Sequence, residues 1–481
     1  MRSPSSQTVF NKEIDALWSG QNVSGSHNDP AVLASACFAR EDGDVLGGAF
    51  PRKLAVHAGF GGTPIAEEFI GEHLEQALEV PRVGNTAAYV HVPFCESHCL
   101  YCGFFTKGYE RKESARYADA LQRELDMWNR TRLVRSGPVH CVYLGGGTPT
   151  ALEAVDLGRV IRAVRDALPL ANDCEITVEG RIHNFGPEKM EACLDAGANR
   201  FSIGVQTFDT ALRRAMGRKA AREDILPTLR RLMAYGQAAV VIDLIYGFPR
   251  QDMDMWRRDL DTALDLELDG IDLYQLNTFA GTPLHQAIEK GDMPRPADIA
   301  VQARMYAEGC RTFEEARWRR LSSSHYGRTN RERNIYNHMV KGFAHCLAYG
   351  PGAGGVLHGN SYFLERGYAR WANMVEQGGK PVSALMLAPP HAAMTKALAQ
   401  AFDHGRINLP RLDHVFGLPL TELAAPITGQ WTRAGLMKAD GDWLDLTVAG
   451  HFWQVTMAHL LIKYFNQILQ EGLTAWIQER N

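Results

Sequence analysis

Three cysteines lie close together in the stretch CESHCLYCGFF, directly after an apolar segment that predicts a β-strand. Cys95, Cys99 and Cys102 have the spacing C-x3-C-x2-C. The polarity of the loop argues against three core cysteines, because it cannot bury them all. A structural zinc ion would need a fourth protein ligand, which His98 or His91 could supply. A four-iron cluster normally takes four thiolates, so three thiolates would leave one iron open to a substrate or cofactor.

Glycines and polar side chains follow the next predicted strands. The stretch LGGGTPT (144–150) contains three consecutive glycines, which allow backbone N–H groups to approach a ligand closely. Glu179 and Gln206 end the third and fourth predicted strands, and Asp243 lies within the fifth. Each could be an ordinary strand-end residue. Together, in register behind the cysteines, they predict a site for a cationic ligand that carries a ribose.

The elements that would position these residues alternate between strands and helices. Six apolar segments rich in β-branched residues predict strands at 87–94, 139–147, 174–180, 200–208, 239–249 and 270–279. Segments with helical periodicity separate them, which predicts an α/β fold with a parallel sheet covered by helices. Six units are too few for a closed eight-stranded barrel, so we expect a partial (β/α)6 barrel. Its chemistry should lie at the carboxyl ends of the strands.

The segments on either side of the barrel have a different character. Residues 1–84 predict an irregular N-terminal extension, and residues 85–320 the barrel. Residues 321–481 predict a connecting region and a mainly helical C-terminal domain, with a small hairpin whose second strand is 443–448. This arrangement is winged-helix-like, but it lacks a basic recognition helix. We therefore expect a helical lid over the barrel.

The composition excludes several classes of protein. The chain has 481 residues, 45% of them apolar, and a formal net charge of -4, which predicts no attraction to nucleic acid. It contains no apolar run of the roughly 20 residues that a membrane helix needs, and its first residues lack the apolar core of a secretory signal. Nine cysteines, an odd number, argue against a disulfide framework. We expect a protein of the reducing cytoplasm.

The cysteine motif resembles the signature of radical S-adenosylmethionine (SAM) enzymes. Tyr101, before the third cysteine, is aromatic, as it commonly is in that family. The resemblance implies a [4Fe–4S] cluster held by Cys95, Cys99 and Cys102, with SAM chelated to the open iron. It also implies cleavage of SAM to a 5′-deoxyadenosyl radical, for which the protein supplies binding and exclusion of water.

Four further motifs resemble one branch of this family, that of the oxygen-independent coproporphyrinogen III oxidases. They are YVHVPFC, GGGTPT, SIGVQTF and IDLIYGFP, and they span about 89–249. The branch also contains haem chaperones and haem-utilisation enzymes. By resemblance, Tyr89, Gly146 and Glu179 contact the cluster-bound SAM. The residues that match contacts to a second SAM are Tyr101, Gly147, Thr148, Gln206, Arg218 and Asp243.

Two departures separate the chain from the oxidases themselves. Phe104 stands where they have a further cysteine, and Arg181 stands where their third strand continues with an aspartate. From the second cysteine of the motif onward, the haem chaperones have a sequence that resembles C-P-Y-C-D-F, whereas this chain has CLYCGFF. In contrast, CGFF, FPRKLAVHAG (50–59) and the segment 331–355 resemble the haem-utilisation subgroup, whose members include anaerobilin synthases.

That subgroup implies a radical SAM methyltransferase that degrades haem anaerobically. The expected substrate is haem or a related tetrapyrrole, and opening of the ring would yield a linear tetrapyrrole and free iron. Two SAM molecules would act, one as radical source and one as methyl donor, and a flavodoxin- or ferredoxin-type protein would donate electrons. The alternatives are coproporphyrinogen III oxidation and a haem chaperone that retains the cluster.

Residues that contact haem are harder to assign from the sequence. Arg181 or the arginines of RTNRERN (328–334) could pair with haem propionates, although a solvated loop explains that basic run equally well. Several histidines in the subgroup-like segments are candidates, although each could be an ordinary hydrogen-bonding residue. They are His57, His325, His338, His345 and His358. Five other cysteines lie in strand or helix patterns that predict a core position, namely Cys141, Cys174, Cys193, Cys310 and Cys346. Cys37 has no assignment.

Overall fold

The computed structural model describes residues 30–54 and 61–471. Six parallel strands form its centre, in the order of the sequence. They are β1 (Thr86–Val92), β2 (Val139–Gly146), β3 (Leu170–Gly180), β4 (Arg200–Gln206), β5 (Ala239–Tyr246) and β6 (Gly270–Gln275). These are the six strands predicted from the sequence. They are almost entirely buried, as near-continuous apolar runs require in a parallel sheet covered on both faces.

Helices connect successive strands of this sheet. They are α1 (Glu113–Trp128), α2 (Ala154–Ala167), α3 (Pro187–Ala196), α4 (Arg222–Ala234) and α5 (Met253–Asp265). Shorter helices span Glu67–Glu79, Arg132–Arg135, Thr210–Ala215 and Pro283–Glu289, and a longer helix spans Ile299–Glu315. Helix α3 illustrates how the sequence sets the bounds: it begins at Pro187, whose fixed φ suits a first turn, and it ends before Gly197, with a φ of 102°.

The parallel sheet continues beyond the six predicted strands on both sides. Next to β1 lies a seventh parallel strand, His345–Tyr349, followed by antiparallel strands at Gly354–Leu357, Asn360–Leu364, Val382–Leu387 and Thr63–Pro64. Next to β6 lie the antiparallel strands His325–Gly327 and Arg319–Arg320. Two helices accompany this region, α6 (Ile335–Lys341) and α7 (Tyr368–Glu376). The turn-rich connecting region expected after residue 320 thus contains much of a sheet of 13 strands.

The chain divides into two compact units. The sheet unit contains residues 61–298 and 308–390 and includes every element labelled above. The other, the helical unit, contains the described residues 30–54, 299–307 and 391–471. Its helices are Pro30–Ser35, Val45–Gly48, Ala392–His404, Leu409–Phe416, Leu420–Arg433 and Val448–Glu471.

The helical unit has its own core and a small sheet. The indole of Trp431 is buried and donates from Nε1 to the Cys37 carbonyl oxygen at 2.9 Å. Strands Met437–Asp440 and Trp443–Leu446 form an antiparallel hairpin. A third strand, Arg406–Ile407, pairs with Trp443–Leu446. The predicted hairpin is therefore confirmed, whereas a lid function for these helices stays a prediction. No helix among the described residues has the length and apolar character that a membrane crossing requires.

Candidate functional site

The cysteine loop begins where β1 ends. Phe94 and Cys95 form a short strand that pairs in parallel with Lys107–Gly108, so the intervening residues make a closed loop. Cys95 and Cys99 are 2% and 1% exposed, and Cys102 is half-buried. The loop therefore brings three thiols to the carboxyl end of the parallel sheet, which is the edge that the sequence predicts for chemistry.

Each of the three sulfurs has its own hydrogen-bond donor. Arg181 Nη2 lies 3.6 Å from Cys95 Sγ, Arg218 Nη1 lies 3.5 Å from Cys99 Sγ, and the Phe104 N–H lies 3.3 Å from Cys102 Sγ. Donors of this kind stabilise thiolates and tune the potential of a cluster bound through them. Burial nevertheless raises the pKa of Cys95 above its usual value, although the Arg181 guanidinium and Thr148 oppose that rise.

The glycine run at the end of β2 packs too tightly for any side chain. Gly146 has a φ of 107°, and a Cβ atom there would lie 2.5 Å from the His91 ring. The Gly147 N–H donates to Val92 O at 2.7 Å, and a Cβ atom at Gly147 would lie 2.6 Å from Phe94 O. Only glycine fits these positions, because a side chain at either one would meet the His91 ring or the Phe94 backbone.

Two carboxyl groups lie at the same edge of the sheet, on β3 and β5. Burial, followed by the nearby Asp243 charge, raises the pKa of Glu179 to about 8. Burial and then Asp272, its cross-strand neighbour on β6, raise the pKa of Asp243 to about 7. Glu179 Oε2 lies against the glycine run, because a Cβ atom at Gly145 would be only 2.7 Å from it. Nearby cations, such as Arg181 for Glu179 and Arg200 for Asp243, oppose these rises in pKa without outweighing them.

Gln206 and Arg218 complete this edge of the barrel. Gln206 has a φ of 72° at an irregularity between β4 and β5, and its buried Oε1 has no hydrogen-bond partner among the described residues. Arg218 donates from Nη1 to Tyr101 Oη at 3.2 Å and from Nη2 to Gly204 O. Its buried Nε also has no partner in the described part of the chain. The motif residues thus meet at one place.

These residues fit a cluster and a cationic ligand. The donor set of three thiols suits an iron–sulfur cluster. Two carboxyl groups with raised pKa values and the polar atoms without partners suit a ligand that carries positive charge and hydrogen-bonding groups. Within residues 30–54 and 61–471, no three His, Cys, Asp or Glu side chains are arranged to hold a single metal ion.

The two histidines considered as zinc ligands are engaged elsewhere. His98 is exposed and stacks on Phe105 with ring centroids 4.2 Å apart. His91 Nδ1 lies 3.0 Å from Tyr89 Oη, and burial together with Arg366 lowers the pKa of His91 to about 4. These contacts favour structural roles for both rings.

An aromatic cluster inside the barrel was not foreseen. Tyr89 on β1, Tyr143 on β2 and Tyr336 on α6 stack on one another, and the Tyr143 and Tyr336 centroids lie 4.7 Å apart. All three are half-buried. The alternation of β2 could have indicated Tyr143, since it shares a face with Gly145. Tyr336 comes from a distant segment, and no local pattern indicates it.

A buried charge network joins three strands of the sheet and the segment before α6. Arg200 Nε lies 3.0 Å from Glu332 Oε2, and Glu332 Oε1 lies 3.0 Å from His325 Nε2. His325 Nδ1 is 2.7 Å from Asp272 Oδ2, although the angle of this contact is poor for a hydrogen bond. Every member is at most 4% exposed on its side chain. Asp272 in turn faces Asp243 across the β5–β6 pair.

The histidines considered for haem contact are placed differently from one another. His325 has both ring nitrogens against carboxylates and no exposed surface, so it offers no nitrogen to haem iron. His345 and His358 contact each other, with ring centroids 5.0 Å apart, and His358 Nε2 lies 3.2 Å from Ala77 O. His338 is half-buried on α6, and His57 lies outside the described residues.

The arginines considered for propionates are also engaged. Arg181 donates from Nη1 to Ser97 O at 3.0 Å and from Nη2 to Cys95 Sγ, so it supports the cysteine loop. In RTNRERN, Arg328 donates to Leu268 O at 2.8 Å and Arg331 to Gly236 O at 3.1 Å. Arg333 donates to Asp173 O at 2.9 Å. These arginines connect loops of the protein.

Comparisons with known proteins agree with this geometry. Residues 89–263 match the model of the radical SAM superfamily. The chain is 41% identical to the anaerobilin synthase of Escherichia coli O157:H7 over 414 residues, which cover 85% of the chain and 90% of that protein. It is 29% identical to the haem chaperone HemW of Bacillus subtilis (strain 168), across 47% of the chain and 62% of that protein.

A solved structure gives the same fold. The structure of coproporphyrinogen III oxidase (HemN) from Escherichia coli matches with a TM-score of 0.71 and 19% identity, across 84% of the chain and 96% of that structure. This likeness confirms the predicted α/β fold with its partial barrel.

Proposed function

Because the chain belongs to the radical SAM superfamily, we propose that it degrades haem without oxygen. The observation that carries this proposal is the 41% identity to an anaerobilin synthase, which extends over 90% of that relative. The similarity is not limited to the radical SAM region, since 414 residues align and the matched family region is 89–263. A shared substrate is the simplest reason for likeness on that scale.

The cysteines and the strand ends have separate roles in the proposal. Cys95, Cys99 and Cys102 would hold the [4Fe–4S] cluster, and Tyr89, Gly146 and Glu179 the SAM next to it. When bound, the cluster and SAM supply the one-electron chemistry for which the superfamily is named. A second SAM, the methyl donor, would contact six further residues. These are Tyr101, Gly147, Thr148, Gln206, Arg218 and Asp243.

The contacts of the protein support this division. Arg181 and Arg218 donate to Cys95 and Cys99 from two other segments, and the Phe104 N–H donates to Cys102 from within the loop. Glu179 and Asp243 would offset the positive charge of SAM. Arg218 would join the two ligand sites, since it reaches both Cys99 Sγ and Tyr101 Oη.

The proposed reaction transfers a methyl group from the second SAM to the porphyrin, opens the ring to a linear tetrapyrrole and frees iron. A flavodoxin- or ferredoxin-type protein would supply the electrons. The proposed compartment is the cytoplasm, because all nine cysteines are unpaired and a low-potential cluster suits a reducing environment.

Two residues favour haem degradation over the alternative of coproporphyrinogen oxidation. Phe104, 73% exposed, stands where the oxidases carry a further cysteine. Arg181 stands where they carry an aspartate, and its guanidinium supports the cysteine loop. If this chain were such an oxidase, it would lack two side chains that the oxidases carry, the further cysteine and the aspartate.

An anaerobic assay separates the three functions. The cluster is reconstituted, and SAM, a reductant and haem are added. We expect loss of the haem Soret band together with formation of 5′-deoxyadenosine. An unchanged Soret band with haem retained would indicate a chaperone, and turnover of coproporphyrinogen alone would indicate an oxidase.

A matched pair of cysteine variants tests the cluster assignment. Cys99→Ala should abolish SAM cleavage and lower the bound iron. Cys174→Ala removes a buried cysteine of β3 outside the loop and should retain both. SAM cleavage by Cys99→Ala at the wild-type rate would contradict the proposed ligand set.

A further inference from the structure

A basic cleft opens beside the cysteine loop, in a part of the sheet unit that none of the sequence motifs indicates. Its volume is about 430 Å³, and it lies between the strand Lys107–Gly108, the start of α1 and the start of α7. Four cations line it, with one acid and a tyrosine among its other residues. They are Lys107, Arg116, Arg366, Arg370, Glu113 and Tyr368.

The charges of the basic cleft are only partly balanced within the protein. Lys107 Nζ lies 3.2 Å from Glu113 Oε1, and Arg370 Nε lies 3.4 Å from Glu365 Oε2. Arg116 and Arg366 have no ion pair within the described residues, and both are exposed. Two guanidinium groups are therefore free to pair with an anionic ligand.

The wall of the basic cleft is apolar and well ordered by packing. Tyr368 is 9% exposed, and its ring lies 5.2 Å from the Phe94 ring. The Lys107 amine lies 5.3 Å from the Tyr368 ring and 5.7 Å from the Phe94 ring. Glu113, 7% exposed, fixes Lys107 from the other side. Such a cavity suits a ligand with both an apolar body and negative charges.

We propose that this basic cleft binds the carboxylate side chains of the tetrapyrrole substrate, an inference that rests on the proposed function. Haem carries two propionates, and planar guanidinium groups pair with carboxylates through two parallel hydrogen bonds. Arg116 and Arg366 supply two such groups. Arg370 and Lys107 add positive charge, while the methylene groups of the propionates pack on Tyr368.

The position of the basic cleft suits this role. Lys107 pairs in register with Phe94, the residue before Cys95, so the cleft adjoins the loop that carries the proposed cluster ligands. The arginines that the sequence suggested for propionates, Arg181 and those of RTNRERN, already donate to the protein itself. In the basic cleft, by contrast, Arg116 and Arg366 have no ion pair among the described residues.

A small anionic ligand fits the basic cleft better than an acidic protein does. The cations line a concave cavity whose wall is formed partly by the side chains of Tyr368 and Ala372. A protein partner would need a wide, accessible surface, because stable interfaces bury on the order of 800 Å² on each side. The experiment must therefore distinguish binding of the substrate carboxylates from docking of an acidic electron-donor protein.

The test compares a porphyrin diacid with its ester. The full chain, with its cluster reconstituted and no reductant present, is titrated with mesoporphyrin and with mesoporphyrin dimethyl ester. Two double variants are compared, Arg116→Gln with Arg366→Gln, and a matched control, Arg132→Gln with Arg135→Gln. The control arginines are also exposed and lie on another helix, Arg132–Arg135. Their replacement removes the same amount of positive charge. Thermal midpoints and SAM cleavage without haem verify that both variants are folded.

We expect the affinity for the diacid to fall about tenfold or more in the cleft variant, since two charge-assisted pairs are lost. Affinity for the ester should be the same in all three proteins, and the control should match the wild type. Equal affinity of cleft variant and wild type for the diacid would overturn the proposal. So would a cleft variant that binds the diacid normally but accepts electrons poorly from an acidic donor protein. Failure of the wild type itself to bind either porphyrin would reject the proposed function, and this inference with it.

Discussion

At the scale of single residues, the site is governed by charge that the protein itself does not balance. Glu179 and Asp243 have pKa values raised to about 8 and 7, because burial disfavours their ionised forms. A cationic ligand reverses this effect by stabilising the carboxylates. The groups are therefore prepared to respond to a ligand such as SAM, and the response has a measurable pH dependence.

The affinity for SAM should rise with pH between about 6 and 8. In the free protein, pH values below the raised pKa leave Glu179 and Asp243 protonated, so a proton must leave before each carboxylate can pair with the sulfonium of the SAM assigned to it. Each titrating carboxyl should change the affinity by roughly tenfold per pH unit below its pKa. Equilibrium dialysis with SAM over this pH range measures the effect.

S-adenosylhomocysteine is the control ligand, because it lacks the sulfonium charge and keeps the amino group. Its affinity should change less with pH than that of SAM. The variant Glu179→Gln should flatten the SAM profile. An identical pH profile for the two ligands would contradict the assignment of the carboxyls to the sulfonium.

The glycine run makes a second prediction at this scale. Gly146→Ala places a side chain at a φ of 107° and within 2.5 Å of the His91 ring, so it should strain the loop by about 1–3 kcal/mol. SAM affinity should fall, while iron content stays at the wild-type level. Gly71→Ala is the control, since it lies on an exposed helix with no atom near its new methyl group. Normal SAM binding by Gly146→Ala would mean that the loop does not face the ligand.

At the scale of elements, the buried network connects the strands that carry the site. Arg200 is on β4, Asp272 on β6 and His325 on the neighbouring antiparallel strand, and Glu332 lies between the two cations. Burial by itself lowers the pKa of His325, but Asp272 and Glu332 outweigh it and raise that pKa to about 9. Burial likewise raises the pKa of Glu332, but Arg200 and His325 outweigh it and lower that pKa to about 2.

Removal of the shared acid should destabilise the sheet unit strongly. Glu332→Gln leaves Arg200 and His325 buried without their common partner, which costs about 3–5 kcal/mol in comparable buried pairs. Urea unfolding measures the change. Glu315→Gln is the control, because its pair with Arg311 is exposed and should contribute less than about 1 kcal/mol. Equal stability of the two variants would contradict a structural role for the network.

The same network predicts how stability depends on pH. His325 has a folded pKa above its unfolded value of 6.5, so its contribution is complete below 6.5 and is lost as the pH rises through 9. Glu332 has a folded pKa below its unfolded value of 4.5, so its contribution is complete above 4.5 and is lost as the pH falls towards 2. The stability difference between wild type and Glu332→Gln should therefore be greatest between pH 4.5 and 6.5. A difference that grows above pH 9 would contradict this account.

The elements that the sequence predicts are those with a local signal. Six buried parallel strands give apolar runs, and their helices give periodicity, so β1 to β6 could be located in advance. The strands at His345–Tyr349 and Gly354–Leu357 were not, because they are short and surrounded by turn residues. Their partners are distant in sequence: His345 pairs with Thr86. Pairing over such a separation leaves no local pattern.

The same reasoning applies to the site. The cysteine, glycine and carboxyl positions follow strands in order, so their meeting at one edge could be predicted from the rule for parallel sheets. The basic cleft could not, since it joins Lys107 and Arg116 to Arg366 and Arg370, some 250 residues later in the chain. Tyr336 and Glu332 likewise contact residues far earlier in the chain, Tyr143 and Arg200, and no local pattern indicates those contacts.

At the scale of the whole molecule, the use of cysteine separates the site from the rest of the chain. All nine cysteines are unpaired, and eight of them are buried. Burial raises the pKa of Cys37, Cys174 and Cys193 to about 12 and thereby keeps their thiols protonated. Buried, protonated thiols react slowly. Their distribution over both compact units makes them internal references for the thiols of the loop.

Cys102 should therefore be the one rapidly alkylated cysteine of the native, cluster-free protein. It is half-buried, whereas the other eight are at most 6% exposed. Brief iodoacetamide labelling followed by peptide mass spectrometry should find modification at Cys102 first, with the eight buried cysteines slower. Reconstitution of the cluster should then protect Cys102, together with Cys95 and Cys99, without changing the other six cysteines, because coordination to iron lowers the reactivity of a thiolate. Continued labelling of Cys102 in protein that has retained its iron would mean that the cluster is held without it. Rapid labelling of Cys174 or Cys193 would mean instead that the native fold itself had opened.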